Sequence, residues 1–263
     1  MATAFLISDL HVDYYLGAKP TADRVSELLA PHLCPADVLL LAGDISNYPG
    51  AVRTTLACLS ERYHKVLWTL GNHEYVSFNG ESSYRKVSRL VKDASFANVH
   101  LLDGVPLDLH GRTIGGAMGY CDFGYAEKHF GLGKELMTHK WRHHSFDGRH
   151  WNIGGTAPLD FFAEEYAKLE CCVDAGARLM VSHFSPFDGV VHPAYHKMES
   201  GFYYFDGSRL LERMPAGSTW CFGHTHCHCK LQADDVTLLC NPFGMPSDNV
   251  GEDIPKEEFL FEI

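Results

Sequence analysis

Short apolar runs that end in metal-binding side chains recur along this 263-residue chain and constrain its fold more than any other feature. Runs of four to six apolar residues closed by glycine or polar residues predict buried strands rather than helices. Ligand sites in open α/β sheets lie beyond the carboxyl ends of the strands, so the polar ends should converge in one crevice. The runs are 5–7, 38–42, 66–70, 179–182 and 219–222.

Stretches with helical periodicity separate these runs, and the alternation predicts an α/β fold with a largely parallel sheet. Thr21 stands where it could cap the first helix, and Pro158 suits the first position of the last. Strands crowd together after residue 217, which predicts a second, partly antiparallel sheet. The predicted helices are 21–33, 50–63, 82–95 and 159–175, and the late strands are 218–222, 228–232, 236–240 and 258–262. Without a linker or a repeat, the sequence predicts a single domain over 1–263.

Charge and cysteine content narrow the partners and the compartment. The formal net charge of −11 argues against a surface for long nucleic acids, although bound metal ions would still admit a small phosphorylated substrate. No run is long enough to span a membrane, and no basic leader precedes Asp9. Nine cysteines, an odd number, favour reduced thiols and a cytoplasmic location. The oligomeric state stays open.

The polar residues at the strand ends form a set of metal ligands. Asp9 and His11 lie two positions apart, as do His224 and His226, so each pair leaves one face of a strand end. Any one of these motifs alone is better explained by a capping carboxylate or a structural histidine than by a metal ligand. Together, seven nitrogen and oxygen ligands predict two divalent ions, and His73 beside them could assist as a general acid. The seven are Asp9, His11, Asp44, Asn72, His183, His224 and His226.

The ordered motifs Asp-x-His, Gly-Asp, Gly-Asn-His-Glu, a lone histidine and Gly-His-Thr-His resemble the signature of calcineurin-like metallophosphoesterases. The resemblance implies a four-layer α/β/β/α sandwich with two mixed central β-sheets. It also implies two divalent metal ions, Mn, Fe or Zn, and a role for His73 at the phosphate and the leaving group. Its ligand assignment is Asp9, His11 and His226 for one ion, Asn72, His183 and His224 for the other, and Asp44 between them.

Departures from related branches narrow the resemblance. Phosphoprotein phosphatases of this superfamily carry arginines where this chain has 45–47 and Leu70, so a bidentate phosphate clamp is missing. Purple acid phosphatases carry a tyrosine where Asn47 stands. The chain is similar to the small single-domain, cyclic-nucleotide phosphodiesterase-like branch, and its segment 240–244 also resembles the one in that branch.

The prediction is therefore a dinuclear-metal phosphoesterase in which a metal-bridging hydroxide attacks phosphorus in line, with Asp44 and His73 as the catalytic residues. A small phosphodiester is the favoured substrate, on resemblance alone. The alternatives are a small-molecule phosphomonoesterase, a scaffold without chemistry, and a nuclease for long DNA or RNA.

Residues 120–157 match no regular element in sequence and are rich in aromatic residues and histidine. We interpret them as a lid, with Arg142 or His143 contacting substrate phosphate. The alternative is a packed surface excursion. Two further features stay open in the same way. Residues 203–205 could stack a base or fill the core, and 227–229 could bind zinc or be plain strand. Glu74 is expected to orient a ligand rather than bind metal.

Overall fold

A computed structural model describes residues 2–193, 196–248 and 254–263. Its strands are β1 (Thr3–Ile7), β2 (Val38–Ala42), β3 (Lys65–Thr69), β4 (Val99–Leu101), β5 (Leu107–Leu109), β6 (Arg112–Gly116), β7 (Leu179–Val181), β8 (Ser218–Phe222), β9 (Cys229–Ala233), β10 (Val236–Cys240) and β11 (Leu260–Glu262). Its helices are α1 (Val12–Leu16), α2 (Ala22–Leu29), α3 (Pro49–Arg62), α4 (Ser83–Asp93), α5 (Gly124–Phe130), α6 (Lys134–His144), α7 (Phe146–His150), α8 (Pro158–Asp174) and α9 (Ser208–Leu211).

The first sheet has five strands in the order β11-β1-β2-β3-β4. Strands β1 to β4 run parallel, and β11 pairs antiparallel with β1. Strand β2 is buried along its whole length, as expected for a central parallel strand covered on both faces. The carboxyl ends of β1, β2 and β3 therefore meet at one edge of the sheet.

The second sheet has six strands in the order β5-β6-β7-β8-β10-β9. Its four inner strands are parallel, whereas β5 and β9 pair antiparallel at the edges. Strand β2 packs against β7 and β8, and a parallel bridge between Ser8 and Pro242 joins the two sheets beside the strand ends. The predicted sandwich with two mixed central sheets and flanking helices is confirmed.

Several predicted elements need correction. The strand predicted at 258–262 is β11, which joins the first sheet rather than the second. Strand β6 was not predicted, because its end carries Gly115 and Gly116 in place of branched residues. Both glycines are needed there: a Cβ on Gly115 would overlap the Cys172 side chain, and one on Gly116 would overlap the Val181 carbonyl oxygen.

The largest correction concerns 120–157, which the sequence did not assign to any element. The segment contains the helices α5, α6 and α7. Helices α5 and α7 are only 7 and 5 residues long, and α6, at 11 residues, buries only Met137 and Trp141, so none shows a clear apolar face in sequence or is stabilised by propensity alone. Packing stabilises them instead, because Tyr120, Trp141 and Trp151 are all buried.

Across the described ranges, no helix has both the length and the apolar character needed to cross a bilayer.

Candidate metal centre

The structure brings all seven predicted ligands to the adjoining carboxyl edges of the two sheets. Each belongs to a segment that directly follows a strand: β1, β2 or β3 in the first sheet, and β7 or β8 in the second. Backbone hydrogen bonds join these segments, as in the bond from the Asp9 amide to the Gly43 carbonyl. Three overlapping groups of side chains could each hold an ion: Asp9, His11 and His226; His11, Asp44 and His73; Asp44, His183 and His224.

Five of these seven residues have left-handed backbone, which non-glycine residues seldom adopt. Their φ angles lie between 41° and 66°. Such conformations cost free energy and persist where the surrounding structure enforces them, most often at functional sites. The five are Asp9, His11, Asp44, His224 and His226.

On one side of the cluster, the side chains of Asp9, His11 and His226 bring their potential metal-ligand atoms close together. The His11 and His226 Nε2 atoms are 3.0 Å apart, and His226 Nε2 is 3.4 Å from Asp9 Oδ1. Ligands that bind one ion at about 2.0–2.2 Å are separated by similar distances. This half of the cluster fits one divalent cation.

The other half of the cluster surrounds His183. Its Nε2 atom lies 3.2 Å from Asp44 Oδ2 and 3.0 Å from Asn72 Oδ1. Asp44 Oδ2 is also 3.8 Å from His11 Nε2, so this carboxylate faces both halves. The arrangement suits a carboxylate shared between two cations.

Glycines before three of the ligands let the loops approach this closely. A Cβ on Gly43 would lie 2.6 Å from His183 Nδ1, and one on Gly223 would lie 2.7 Å from Asp9 Oδ2. A Cβ on Gly71 would overlap Asp44 Oδ1. The glycines of the sequence motifs therefore make room for the ligands themselves.

Hydrogen bonds at the far ring nitrogen orient two of the histidines. His183 Nδ1 lies 2.8 Å from the Ala42 carbonyl oxygen, which can only accept, so His183 donates there and Nε2 faces the cluster. His226 Nδ1 lies 2.6 Å from Asp248 Oδ2. Metal-binding histidines characteristically make such bonds to carbonyls and carboxylates, so the donor set fits divalent cations. Asp248 was missed, because no motif in the sequence links it to the cluster.

Asn72 is oriented by a chain of buried polar groups. Its Nδ2 donates to Asp147 Oδ1 at 2.8 Å, which turns Oδ1 toward His183. The Tyr120 hydroxyl donates to Asp147 Oδ2 at 2.8 Å, and Trp141 Nε1 donates to the same hydroxyl. The 120–157 segment therefore reaches the cluster through Asp147, a residue that sequence analysis missed because its spacing matches no ligand motif.

His73 faces the cluster beside Asp44, with its Nε2 3.8 Å from Asp44 Oδ2. Its Nδ1 lies 3.0 Å from Asn47 Oδ1, and Asn47 Nδ2 donates to Asp13 at 2.8 Å. Because this amide presents its oxygen to the ring, Nδ1 carries the proton and Nε2 is the nitrogen that can exchange a proton with a ligand. Burial lowers the pKa of His73, although the Asp44 charge opposes the shift.

Glu74 holds the loops together. Its carboxylate accepts hydrogen bonds from four backbone amides, those of Gly71, Asp44, Ile45 and Ser46, at 2.7–3.2 Å. Because four amides donate to it, the Glu74 carboxylate fixes the position of Asp44 and does not serve as a metal ligand itself.

The charges of carboxylates and imidazoles are tightly linked in this cluster. Burial acts to lower the pKa of His183, but Asp44 outweighs it and the pKa rises to about 9. At His226, burial also acts to lower the pKa, but Asp9 and Asp248 outweigh it and raise the pKa to about 10. By contrast, burial and the charge on His73 lower the pKa of His11 to about 3.

The two predicted substrate contacts lie elsewhere on the segment. Arg142 and His143 are exposed in the last turn of α6. Arg142 lines a surface pocket with Trp141 and Trp151, and the His143 ring lies 4.6 Å from that of His139. Phe146 of this segment stacks on His73, with ring centroids 4.9 Å apart.

The segments 203–205 and 227–229 differ in how they are buried. Tyr204 and Phe205 are core residues, whereas the half-exposed ring of Tyr203 lies 4.8 Å from that of His224. Of 227–229, only Cys229 is a strand residue: it begins β9 opposite Cys240 of β10, whereas Cys227 and His228 precede the strand.

The sequence matches a known family over most of its length. A family model described as calcineurin-like phosphoesterase matches residues 3–228. Among curated proteins, the acyl-carrier-protein phosphodiesterase PptH of Mycobacterium tuberculosis is 42% identical over 77 residues. That match covers 29% of this chain and only 22% of the length of PptH.

Solved structures share the architecture. The crystal structure of phosphopantetheinyl hydrolase (PptH) from Mycobacterium tuberculosis superposes with a TM-score of 0.70 and 20% identity, covering 93% of this chain and 90% of that one. The crystal structure of TT1561 from Thermus thermophilus gives a TM-score of 0.50 at 10% identity, covering 91% and 88%. At such identities the likeness establishes the fold.

Proposed function

The chain belongs to the calcineurin-like phosphoesterase family, and from this membership we propose that it is a metal-dependent phosphoric ester hydrolase that acts on phosphodiesters at the strand-end cluster. The observation that carries the proposal is the convergence of three overlapping metal-competent groups, two of which share the carboxylate of Asp44.

Two divalent cations would be held by the halves of the cluster. Asp9, His11 and His226 would hold the first, Asn72, His183 and His224 the second, and Asp44 would lie between them. Bound cations at such a site supply a water molecule activated at neutral pH and positive charge that stabilises the phosphoryl transition state.

The chain's own residues would position the ester and manage the leaving group. Nε2 of His73 is directed at the cluster, because Asn47 fixes the proton on Nδ1. When the ring carries a second proton, on Nε2, it is therefore placed to bind a phosphoryl oxygen or to pass that proton to the departing oxygen. Asp147 would keep the Asn72 oxygen turned toward the second cation.

A phosphodiester is the favoured substrate. The segment that is 42% identical belongs to a protein named as an acyl-carrier-protein phosphodiesterase. The same protein is described as a phosphopantetheinyl hydrolase, so a phosphopantetheine diester on a carrier protein is a specific candidate. Cyclic nucleotides, suggested by the sequence motifs, are a second.

The deciding experiment compares two chromogenic esters with Mn²⁺-reconstituted protein. We expect bis(p-nitrophenyl) phosphate to be hydrolysed faster than p-nitrophenyl phosphate, and His73→Gln to slow both by at least about a hundredfold. A faster monoester rate would instead assign a small-molecule phosphatase. Absence of turnover with metal bound, also after adding holo carrier protein and cyclic nucleotides, would contradict the proposal.

A further inference from the structure

A row of aromatic side chains leads away from His73 across the surface. The Phe146 ring is stacked on His73, with the ring planes at 19°. Successive ring centroids then follow at 4.6 Å, 5.5 Å and 5.8 Å. The members, in order from the cluster, are Phe146, His150, Phe78 and Tyr48, and we call them the aromatic strip.

The outer members of the aromatic strip are exposed. Phe78 is 55% exposed, more than any other phenylalanine in the described part of the chain, and Tyr48 is 37% exposed. A contiguous apolar surface of this kind marks a binding site more often than a scatter of single residues does. Here it is continuous with the metal cluster.

Hydrogen bonds from separate parts of the chain hold the aromatic strip in place. The buried Lys86 ammonium donates to the Asn47 carbonyl at 2.7 Å and to the Val76 carbonyl at 2.6 Å, which ties the backbone beside Tyr48 to the backbone near Phe78. The Ser77 amide donates to the His150 carbonyl at 2.9 Å. A surface organised in advance loses little entropy when a ligand binds.

From this geometry we propose that the aromatic strip binds a planar heteroaromatic ring carried by the phosphoester, such as a nucleobase. The inference rests on the proposed function, because a phosphoryl group bound at the cluster would place its ester substituent beside His73 and Phe146. His150 and Tyr48 carry polar atoms at their ring edges, the imidazole nitrogens and the phenol hydroxyl, which suits a ring with nitrogen and oxygen substituents better than a hydrocarbon chain. Stacking on aromatic side chains is the general mode of binding such rings.

The test compares two ribose phosphates, one with and one without a heteroaromatic base. AMP and ribose 5-phosphate are measured as competitive inhibitors of the hydrolysis of methyl p-nitrophenyl phosphate by Mn²⁺-loaded protein. We expect AMP to bind about tenfold more tightly than ribose 5-phosphate, a difference of about 1.4 kcal/mol, because its base can stack on the aromatic strip. Phe78→Ala should reduce that ratio to about twofold.

Phe130→Ala is the matched control, because Phe130 is also an exposed phenylalanine, at 38%, but lies outside the aromatic strip. It should retain the wild-type ratio. Equal binding of AMP and ribose 5-phosphate by the wild type, or an unchanged ratio in Phe78→Ala, would overturn the inference. Equilibrium dialysis of the two phosphates gives the same ratio without turnover, so a protein that fails to hydrolyse any diester defeats the proposed function separately.

Discussion

The orientation of a single amide decides whether Asn72 can serve as a ligand. An asparagine presents either oxygen or nitrogen, and only oxygen binds a cation. Asp147 sets the choice, because its carboxylate can only accept a hydrogen bond and therefore selects the Asn72 Nδ2 atom, 2.8 Å away. The metal site thus depends on a residue that faces no cation itself.

Asp147→Ala should weaken Mn²⁺ binding by about ten- to a hundredfold, the usual cost of losing a partner that orients a ligand. Tyr120→Phe removes the other hydrogen bond to Asp147 but leaves the Asn72 contact, so its effect should be smaller. Mn²⁺ titration by calorimetry measures both, and circular dichroism checks that each variant folds. Wild-type affinity in Asp147→Ala would show that Asn72 needs no such support.

Protonation of the ligands should compete with cation binding. The raised pKa values of His183 and His226, about 9 and about 10, mean that without a cation both imidazoles carry protons at neutral pH. Since a histidine must be neutral to bind metal, cation uptake should release about two protons, and the apparent affinity should rise with pH between about 6.5 and 8.5. Titrations in buffers of different ionisation enthalpy count these protons, and an enthalpy independent of buffer would contradict the assignment.

The stability of the metal-free protein should change with pH in the opposite direction to its cation affinity. The pKa values of His183 and His226 in the folded protein lie above the unfolded value near 6.5. The two histidines therefore contribute their full stabilisation to the metal-free protein below that pH. The contribution is lost as pH rises through about 9 to 10. Thermal melts of EDTA-treated protein across this range would measure it.

At the scale of elements, the strand-to-loop turns bring the ligands together. Gly71 follows β3, and an added Cβ would overlap the Asp44 carboxylate. Gly71→Ala should therefore lower Mn²⁺ affinity by at least about tenfold, the cost of disturbing a ligand's support, while the sheets still form. Gly50→Ala is the matched control: no atom lies within 4 Å of its added Cβ, so metal affinity should not change. Equal affinities in the two variants would exclude the steric explanation.

The same elements show what the sequence could predict. Four helices and the strands that precede the ligands agree with the predicted ranges within a few residues, because each is long or bounded by glycine and polar residues. The helices α5 to α7 were missed because contacts from distant residues, rather than periodicity, stabilise them. Phe146 and Asp147 could not be found for the same reason: their partners, His73 and Asn72, lie more than seventy positions earlier in the chain.

For the whole molecule, the important fact is that the ligands come from both sheets. Asp9, Asp44 and Asn72 follow strands of the first sheet, whereas His183, His224 and His226 follow strands of the second. A cation bound by both groups would connect the sheets at the edge where they meet. Metal binding should therefore stabilise the complete sandwich rather than one loop.

Such a connection predicts a cooperative gain in thermal stability. Mn²⁺ at about a hundred times its Kd adds about 2.7 kcal/mol for one site, which corresponds to a rise in Tm of at least about 5 °C for a protein of this size. Asp44→Ala removes the carboxylate that faces both halves of the cluster, so Mn²⁺ should stabilise this variant much less. If hydrogen exchange at the ends of β1 and β8 slowed in only one sheet when Mn²⁺ was added, the cations would not connect the two sheets, and one half of the cluster alone would bind metal.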